Sequence, residues 1–384
     1  MTAANDSTDH PDPIRDALAE VVARHRQNTS GDVATYIPEL ATVDADGFGA
    51  ALVSVHGKVH RAGDADRPFT IQSVSKPFVY AMAVSELGLE EVHRHVGFEP
   101  SGEPFNAISL DPDTGRPDNP LINAGAIVTS ALVDGSTANE RFERVRTFLS
   151  ACAGRELDLD VEVFASESAN GDRNRALAHL ARSSGALRRS VDDATEVYFR
   201  QCSVIVTTED LAVMGATLAN SGVNPLTKRQ VMSERAATIT LSIMATCGMY
   251  DHSGEWMARV GLPAKSGVGG GIVAVQPAQF GIGVHSPRLD SWGNSVRGSA
   301  VLQSLSQDFD LHLFDHHNEP RSPIVSWETD GGVTVGVLRG EFDLISAEAV
   351  IELMLEAVAG GSRTIRLDVT GVTRSRTGAR HLFH

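Results

Sequence analysis

The chain has 384 residues, 42% of them hydrophobic, enough apolar material for two or three packed domains and too much for global disorder. A net charge of −16 excludes nucleic acid and anionic membrane as natural partners. No run approaches the ~18 apolar residues of a membrane span. The polar start MTAANDSTDHPDP has no hydrophobic signal region, so a cytoplasmic location is expected.

Residues 1–12 read as a disordered tail. PIRDALAEVVARH then places Ile14, Leu18, Val21 and Val22 at helical spacing, giving an N-terminal tail and helix over 1–24. GAALVSVHGKVHRA (49–62) alternates and turns at His56-Gly57, which predicts a hairpin. After FTIQ the pattern becomes helical and runs to Gly88, a stop signal. Pro77 must lie in that helix's first turn, since deeper it breaks the backbone ladder, so Ser73 sits at or just before the helix N-terminus. Residues 100–120, dense in Pro, Gly, Asp and Asn, read as a long surface loop, and 121–220 as mainly helical. GLPAKSGVGGGIVAVQP (261–277) leads into a second hairpin over 270–286. Hairpins beside a helix-rich region predict an α+β domain, an antiparallel sheet flanked by helices, over 25–315. HLFDHHNEPRSPIVSW, with two prolines and three histidines, reads as a solvated linker at 316–326 rather than a metal site. GVTVGVLRG, SAEAVIELMLEAVAGG and TIRLDVTGV then predict a strand, a helix and a strand in a small α/β unit over 327–384.

Three cysteines, Cys152, Cys202 and Cys247, have no metal spacing and read as buried small hydrophobes. Only four of the 33 basic residues are lysines: Lys58, Lys76, Lys228 and Lys265. In a chain that writes positive charge as arginine, a lysine in a motif marks a place where an amine that can lose its proton is needed. Ser73-Val74-Ser75-Lys76 puts a hydroxyl and an amine three residues apart, on one face of a helix start. Serine becomes a nucleophile when a base takes its proton, and a buried, neutral lysine is such a base. The helix N-terminus there favours an oxyanion. Lys265-Ser266-Gly267, on a glycine-rich approach to a strand, is the K-T-G-like partner of that S-x-x-K element. A backbone N–H near Val268, with that of Ser73, reads either as an oxyanion hole or as part of an ordinary glycine turn, and Tyr250, in a Gly/Asp/Ser-rich segment, either as core packing or as a proton relay. Tyr80, one turn beyond Lys76, reads as packing.

Taken together, these residues resemble the serine-dependent glutaminases over roughly residues 25–315. The matching blocks occur in order: TYIPEL (35–40), IQSVSKPF (71–78), NPLINAGAI (119–127), NGDRN (170–174), YFRQCSVIVT (198–207), CGMYDHSG (247–254) and GLPAKSGVGGGI (261–272). The resemblance implies a fold like that of serine β-lactamases and penicillin-binding proteins, and hydrolysis of L-glutamine to L-glutamate and ammonia, with no cofactor and no metal. By motif it implies Ser73 as nucleophile, Lys76 as base and Tyr250 between base and leaving group. Tyr36, Gln72, Asn123, Glu167, Asn174, Tyr198 and the Val268 backbone are its implied substrate contacts, and Lys265 supports them. Glu167, read alone within FASESANGDRN, is a solvated loop carboxylate, and Asn123 and Asn174 are turn or cap residues. The family also implies a homo-oligomer, a dimer or tetramer. The tail, through LDVTGVTRSRTGARHLF, resembles half of a STAS domain, with Arg374, Ser375, Arg376 and Thr377 where an acidic-Ser-Ser-Gly turn is usual. Two other readings stay open. One is a penicillin-recognising hydrolase or esterase of the same fold, against which the missing S-D-N element argues. The other is a non-enzymatic partner-binding protein built around the tail.

Overall fold

The computed structural model describes residues 12–102, 106–107, 110–314, 323–342 and 344–375. The chain forms two compact units, Met1–Asp315 and His316–His384. The expected tail at 1–11, His316 and His317 of the histidine cluster, and Arg376 and Thr377 of the tail motif lie outside the described residues.

The larger unit is built on a five-stranded sheet. Its spatial order is Val59–Gly63, Gly49–Ser54, Phe280–His285, Gly271–Gln276, Ala264–Ser266, with every neighbouring pair antiparallel. Both expected hairpins are there: Gly49–Ser54 with Val59–Gly63, and Gly271–Gln276 with Phe280–His285. The central strands carry side chains that are buried on both faces. One face packs Leu18, Val21 and Val22 of the Pro13–His25 helix and Val301, Leu302 and Leu305 of the Val296–Asp308 helix. The N-terminal helix is therefore part of the sheet's own core. Ile14, expected on its apolar face, is instead 52% exposed, because the helix meets the sheet only from Leu18 onward.

The Thr208–Ala219 helix covers the opposite face. It lies close because Phe280–His285 presents Gly281 and Gly283 towards it. A side-chain carbon on Gly281 would come within 2.1 Å of Ala216 N, and one on Gly283 within 2.1 Å of Thr208 O. A helical region completes the unit, with Ser75–Leu87 at its centre among Asn123–Leu132, Ala138–Ala153, Val191–Cys202 and Glu234–Cys247. The Ser75–Leu87 helix stops at Gly88, whose φ of +83° suits glycine. Cys152, Cys202 and Cys247 are free and buried, as expected.

The 100–120 segment differs from its reading as a surface loop at its end, where Pro117, Asn119 and Pro120 are buried. Asn119 Oδ1 accepts from Leu121 N at 3.0 Å and Ile122 N at 3.2 Å, and its Nδ2 donates to Glu99 O. This turn aims the Asn123–Leu132 helix at the Ser75–Leu87 helix.

The smaller unit has three strands in the order Thr364–Ser375, Val333–Phe342, Ile324–Asp330, the first pair parallel and the second antiparallel. The Leu344–Ala359 helix connects the parallel strands, and Ala347 and Val350 pack with Leu338 and Phe342. The Ile324–Asp330 strand begins inside 316–326, so the expected linker is shorter than its proline content suggested.

Gly125 seals the turn at Asn119: a side-chain carbon there would lie 1.9 Å from Asn119 O. Gly125→Ala is expected to lower the thermal unfolding midpoint by about 4 °C or more, measured by circular dichroism. An unchanged midpoint contradicts this account of the turn.

Candidate functional site

Ser73 stands at the junction of three elements. The short strand Phe69–Thr70 pairs with Ile205–Val206, and Ile71 N donates to Val204 O at 2.8 Å. The chain then makes a 3-10 turn, Gln72–Val74, and enters the Ser75–Leu87 helix, with Pro77 in its first turn. Ser73 is therefore just before an α-helix N-terminus and is 6% exposed. Gln72, immediately before it, has φ of +49°, an uncommon conformation for a residue with a side chain.

Lys76 is fully buried at the start of that helix. Its Nζ donates to Asn123 Oδ1 at 2.6 Å and to Leu121 O at 3.2 Å, and it lies 5.8 Å from the Tyr198 ring centre. Burial pulls the amine down from its ordinary range to about 8. Leu121 was not among the residues singled out from sequence. Its carbonyl is a backbone group, and no residue type announces it.

Tyr250 occupies a 3-10 turn, Tyr250–His252, at the end of the helix Glu234–Cys247. It too has positive φ, +58°, rare for so bulky a residue. Its hydroxyl donates to Ser266 O at 3.1 Å and shares a hydrogen bond with the Ser73 side chain. Lys265 is fully buried on the edge strand Ala264–Ser266, with Nζ 4.1 Å from the centre of the Tyr250 ring and a hydrogen bond to Ser266 O. Burial first, and the Lys76 charge second, hold the Lys265 amine well below its usual range. The two S-x-x-K and K-T-G-like elements thus meet at Ser73 and Tyr250.

The glycine-rich turn after Ser266 closes on itself through Gly267 N to Gly271 O and Gly270 N to Gly267 O, both 2.9 Å. It runs beside the serine turn: a side-chain carbon on Gly267 would lie 3.4 Å from Ser73 N. Val268 follows and packs with Ile37, Leu40 and Val163.

The remaining sequence-derived residues form two groups. Tyr36 presents its ring to solvent and donates its hydroxyl to Glu167 Oε1 at 2.6 Å, with Gln72 Oε1 at 3.4 Å. Glu167 is buried on the Val161–Ala169 helix, which overturns its reading as a solvated loop carboxylate. Burial pushes its carboxyl up, while hydrogen bonds from Tyr36 and Gln72 pull the other way. In the second group, Asn123 Nδ2 donates to Asn174 Oδ1 at 2.9 Å, and Tyr198 donates to Asn123 Oδ1 at 3.2 Å. Asn123 begins its helix, yet its side chain serves Lys76 rather than capping that helix. The implied substrate contacts Tyr36, Gln72, Asn123, Glu167, Asn174 and Tyr198 thus fall into two hydrogen-bonded groups. A cavity of about 410 Å³ has Leu121, Ile122, Cys247 and Tyr250 in its wall.

The chain is similar to several known proteins. The glutaminase family model matches residues 31–314. The glutaminase of Corynebacterium glutamicum is 43% identical over 362 residues, covering 94% of this chain and 87% of the relative. Glutaminase 1 of Bradyrhizobium diazoefficiens is 50% identical over 298 residues, covering 78% of this chain. The chain spans about half the length of the two Bradyrhizobium relatives it matches. Among solved structures, Mglu is 44% identical with a TM-score of 0.89, covering 97% of this chain and 94% of its own. The same protein is also known in its glutamate form. The probable glutaminase ybaS is 40% identical with a TM-score of 0.77, covering 79% of this chain and 98% of its own. With most of its length matched by the family model and by relatives above 40% identity, the chain belongs to the glutaminase family.

Proposed function

We propose that this protein hydrolyses the side-chain amide of L-glutamine to L-glutamate and ammonia through an acyl-enzyme on Ser73. The observation that carries the reading is the buried Lys76 amine, held at about 8, one helical turn from a serine at a helix N-terminus. A neutral amine has two N–H bonds, and Asn123 Oδ1 and Leu121 O accept both. Its lone pair is then the acceptor that this reading assigns to the Ser73 proton.

In this mechanism Ser73 Oγ attacks the amide carbon as its proton passes to Lys76 Nζ. The carbonyl oxygen takes the negative charge between the backbone N–H groups of Ser73 and Val268. The carbon–nitrogen bond breaks as nitrogen receives a proton from Lys76 or through the Tyr250 hydroxyl, and ammonia leaves. Water attacks the ester as it gives a proton to the same amine, which returns that proton to Ser73 Oγ as the carbon–oxygen bond breaks and glutamate departs. Glu167, with Tyr36 and Gln72 on it, pairs the substrate ammonium, and Asn174 offers its amide N–H to the carboxylate. Such polar groups reject a ligand that leaves them unpaired. The glutamate form of Mglu supports the assignment of an amino-acid site. The parallel strand–helix–strand order of the smaller unit supports the STAS-like reading of the tail.

Ser73→Ala is expected to lower ammonia release from L-glutamine at least ~10³-fold with unchanged circular dichroism. Near-normal turnover ends the mechanism. For the wild type, kcat/KM should rise with pH through an ionisation at about 8 and then level off, because the base is the deprotonated amine. A profile flat across that ionisation excludes Lys76 as base. Lys76→Met should abolish activity while raising the unfolding midpoint, since an apolar chain replaces a buried amine. A lower midpoint would mean that Lys76 has a structural role. Glu167→Gln should raise KM about tenfold or more with a smaller change in kcat, measured by initial rates.

A further inference from the structure

Behind the nucleophile lies a buried polar chain that the reaction as written does not use. Gln201 Nε2, on the Val191–Cys202 helix, donates to Ser75 Oγ at 3.2 Å, and Ser75 Oγ donates to Gln72 O at 2.7 Å. Ser130 Oγ, on the Asn123–Leu132 helix, lies 2.8 Å from Gln201 Oε1 and 2.7 Å from Ala126 O. Gln201, Ser75 and Ser130 are all fully buried. A serine hydroxyl has one proton. With Gln201 donating into its oxygen, Ser75 directs that proton to Gln72 O.

The carbonyl of Gln72 and the N–H of Ser73 belong to one planar trans peptide, so they point in opposite directions. Anchoring Gln72 O on the helix side therefore turns Ser73 N–H to the other side, where Gly267 passes close by. Gln72 sits at φ of +49°, so this peptide is in a conformation that its own residue does not favour and that neighbours must hold.

We propose that Gln201 is a positioning residue. Acting through Ser75, it locks the Gln72–Ser73 peptide so that the Ser73 N–H stays aimed at the oxygen that becomes negative during acylation. The inference rests on the reading of Ser73 as nucleophile and oxyanion donor. An oxyanion donor works chiefly in the transition state, so loosening it lowers kcat without weakening substrate binding. Removing Gln201 leaves no orphaned hydroxyl, because Ser75 and Ser130 keep the carbonyls of Gln72 and Ala126.

The test compares Ser75→Ala, Gln201→Leu and the double variant in steady-state ammonia release from L-glutamine, alongside unfolding midpoints and inhibition by L-glutamate. Each single variant is expected to lower kcat about tenfold or more, with KM and the glutamate inhibition constant within about twofold. The double variant should be no slower than Ser75→Ala alone, because the glutamine acts only through that hydroxyl. If Gln201→Leu does not fold, Gln201→Met, closer in shape, replaces it. Unchanged kcat, a raised KM with kcat intact, or effects that multiply in the double variant overturn the proposal. Ser73→Ala assayed in parallel separates the two levels. Activity retained in that variant removes the underlying mechanism. An inactive Ser73→Ala with normal Ser75→Ala and Gln201→Leu removes only the positioning role.

Discussion

Burying the Lys76 amine is the constraint around which the larger unit is organised. The side chain lies in the protein interior, facing a peptide carbonyl and an amide oxygen. Lowering an amine from 10.5 to about 8 corresponds to roughly 3 kcal/mol of differential interaction. The sign follows from proton counting. Between those two values the unfolded chain binds the proton and the folded chain does not, so stability rises with pH there and is reduced below it. The fold offsets this cost with the packing around the same helix, where Val74, Phe78, Val79 and Tyr80 are buried on every side.

Conformational strain accompanies the electrostatic cost and is placed beside it. Gln72 and Tyr250 both hold positive φ, and the Ser73 hydroxyl lies between them in the chain of contacts. Each is pinned from outside its own backbone preference: Gln72 through its carbonyl and its side chain, Tyr250 through Ser266 O and the Lys265 amine over its ring. The sheet takes part only at its edge. Strand Ala264–Ser266 brings Lys265 and Ser266 to Tyr250, and the following glycine turn runs beside Ser73 N. Rigid scaffold and strained turn are therefore continuous, which suits a site that must be formed before substrate arrives.

Much of this was legible in the sequence because it rests on periodicity and punctuation. Alternation set the first hairpin, apolar runs after a glycine-rich turn set the second, and Pro77 and Gly88 bracketed the helix that carries Lys76. What escaped was of two kinds. Some groups have no side-chain signature, such as the carbonyls of Leu121 and Gln72. Others are ordinary residue types whose environment decides their role. Glu167, named as a substrate contact only through the family resemblance, looks solvated in its serine-rich stretch when read alone, yet the Val161–Ala169 helix turns it inward to Tyr36. Gln201 is a polar residue on the apolar face of an amphipathic helix, between Val197, Tyr198 and Cys202, and that misplacement was its only signal. The proline-rich stretch before 326 misled in the other direction, since a strand starts at Ile324.

The division of labour between lysine and arginine makes the chemistry of the site specific. Burial of a cation is not in itself unusual here, since Arg141 and Arg297 are as buried as Lys76 and Lys265. Arg297 donates to Ser286 Oγ and to the carbonyls of Ala45 and Gly47, and Arg141 pairs with Asp193 and bonds Gly135 O. A guanidinium keeps its charge in any such setting, so it serves as a fixed cross-link. An amine buried without a matching charge instead holds its proton less tightly, as Lys76 and Lys265 do. Of four lysines, Lys58 and Lys228 are at the surface, while Lys76 and Lys265 are buried, Lys265 over the ring of Tyr250, whose hydroxyl bonds the Ser73 side chain. Arginine in place of Lys76 would put a fixed cation where the proposed base needs a neutral amine.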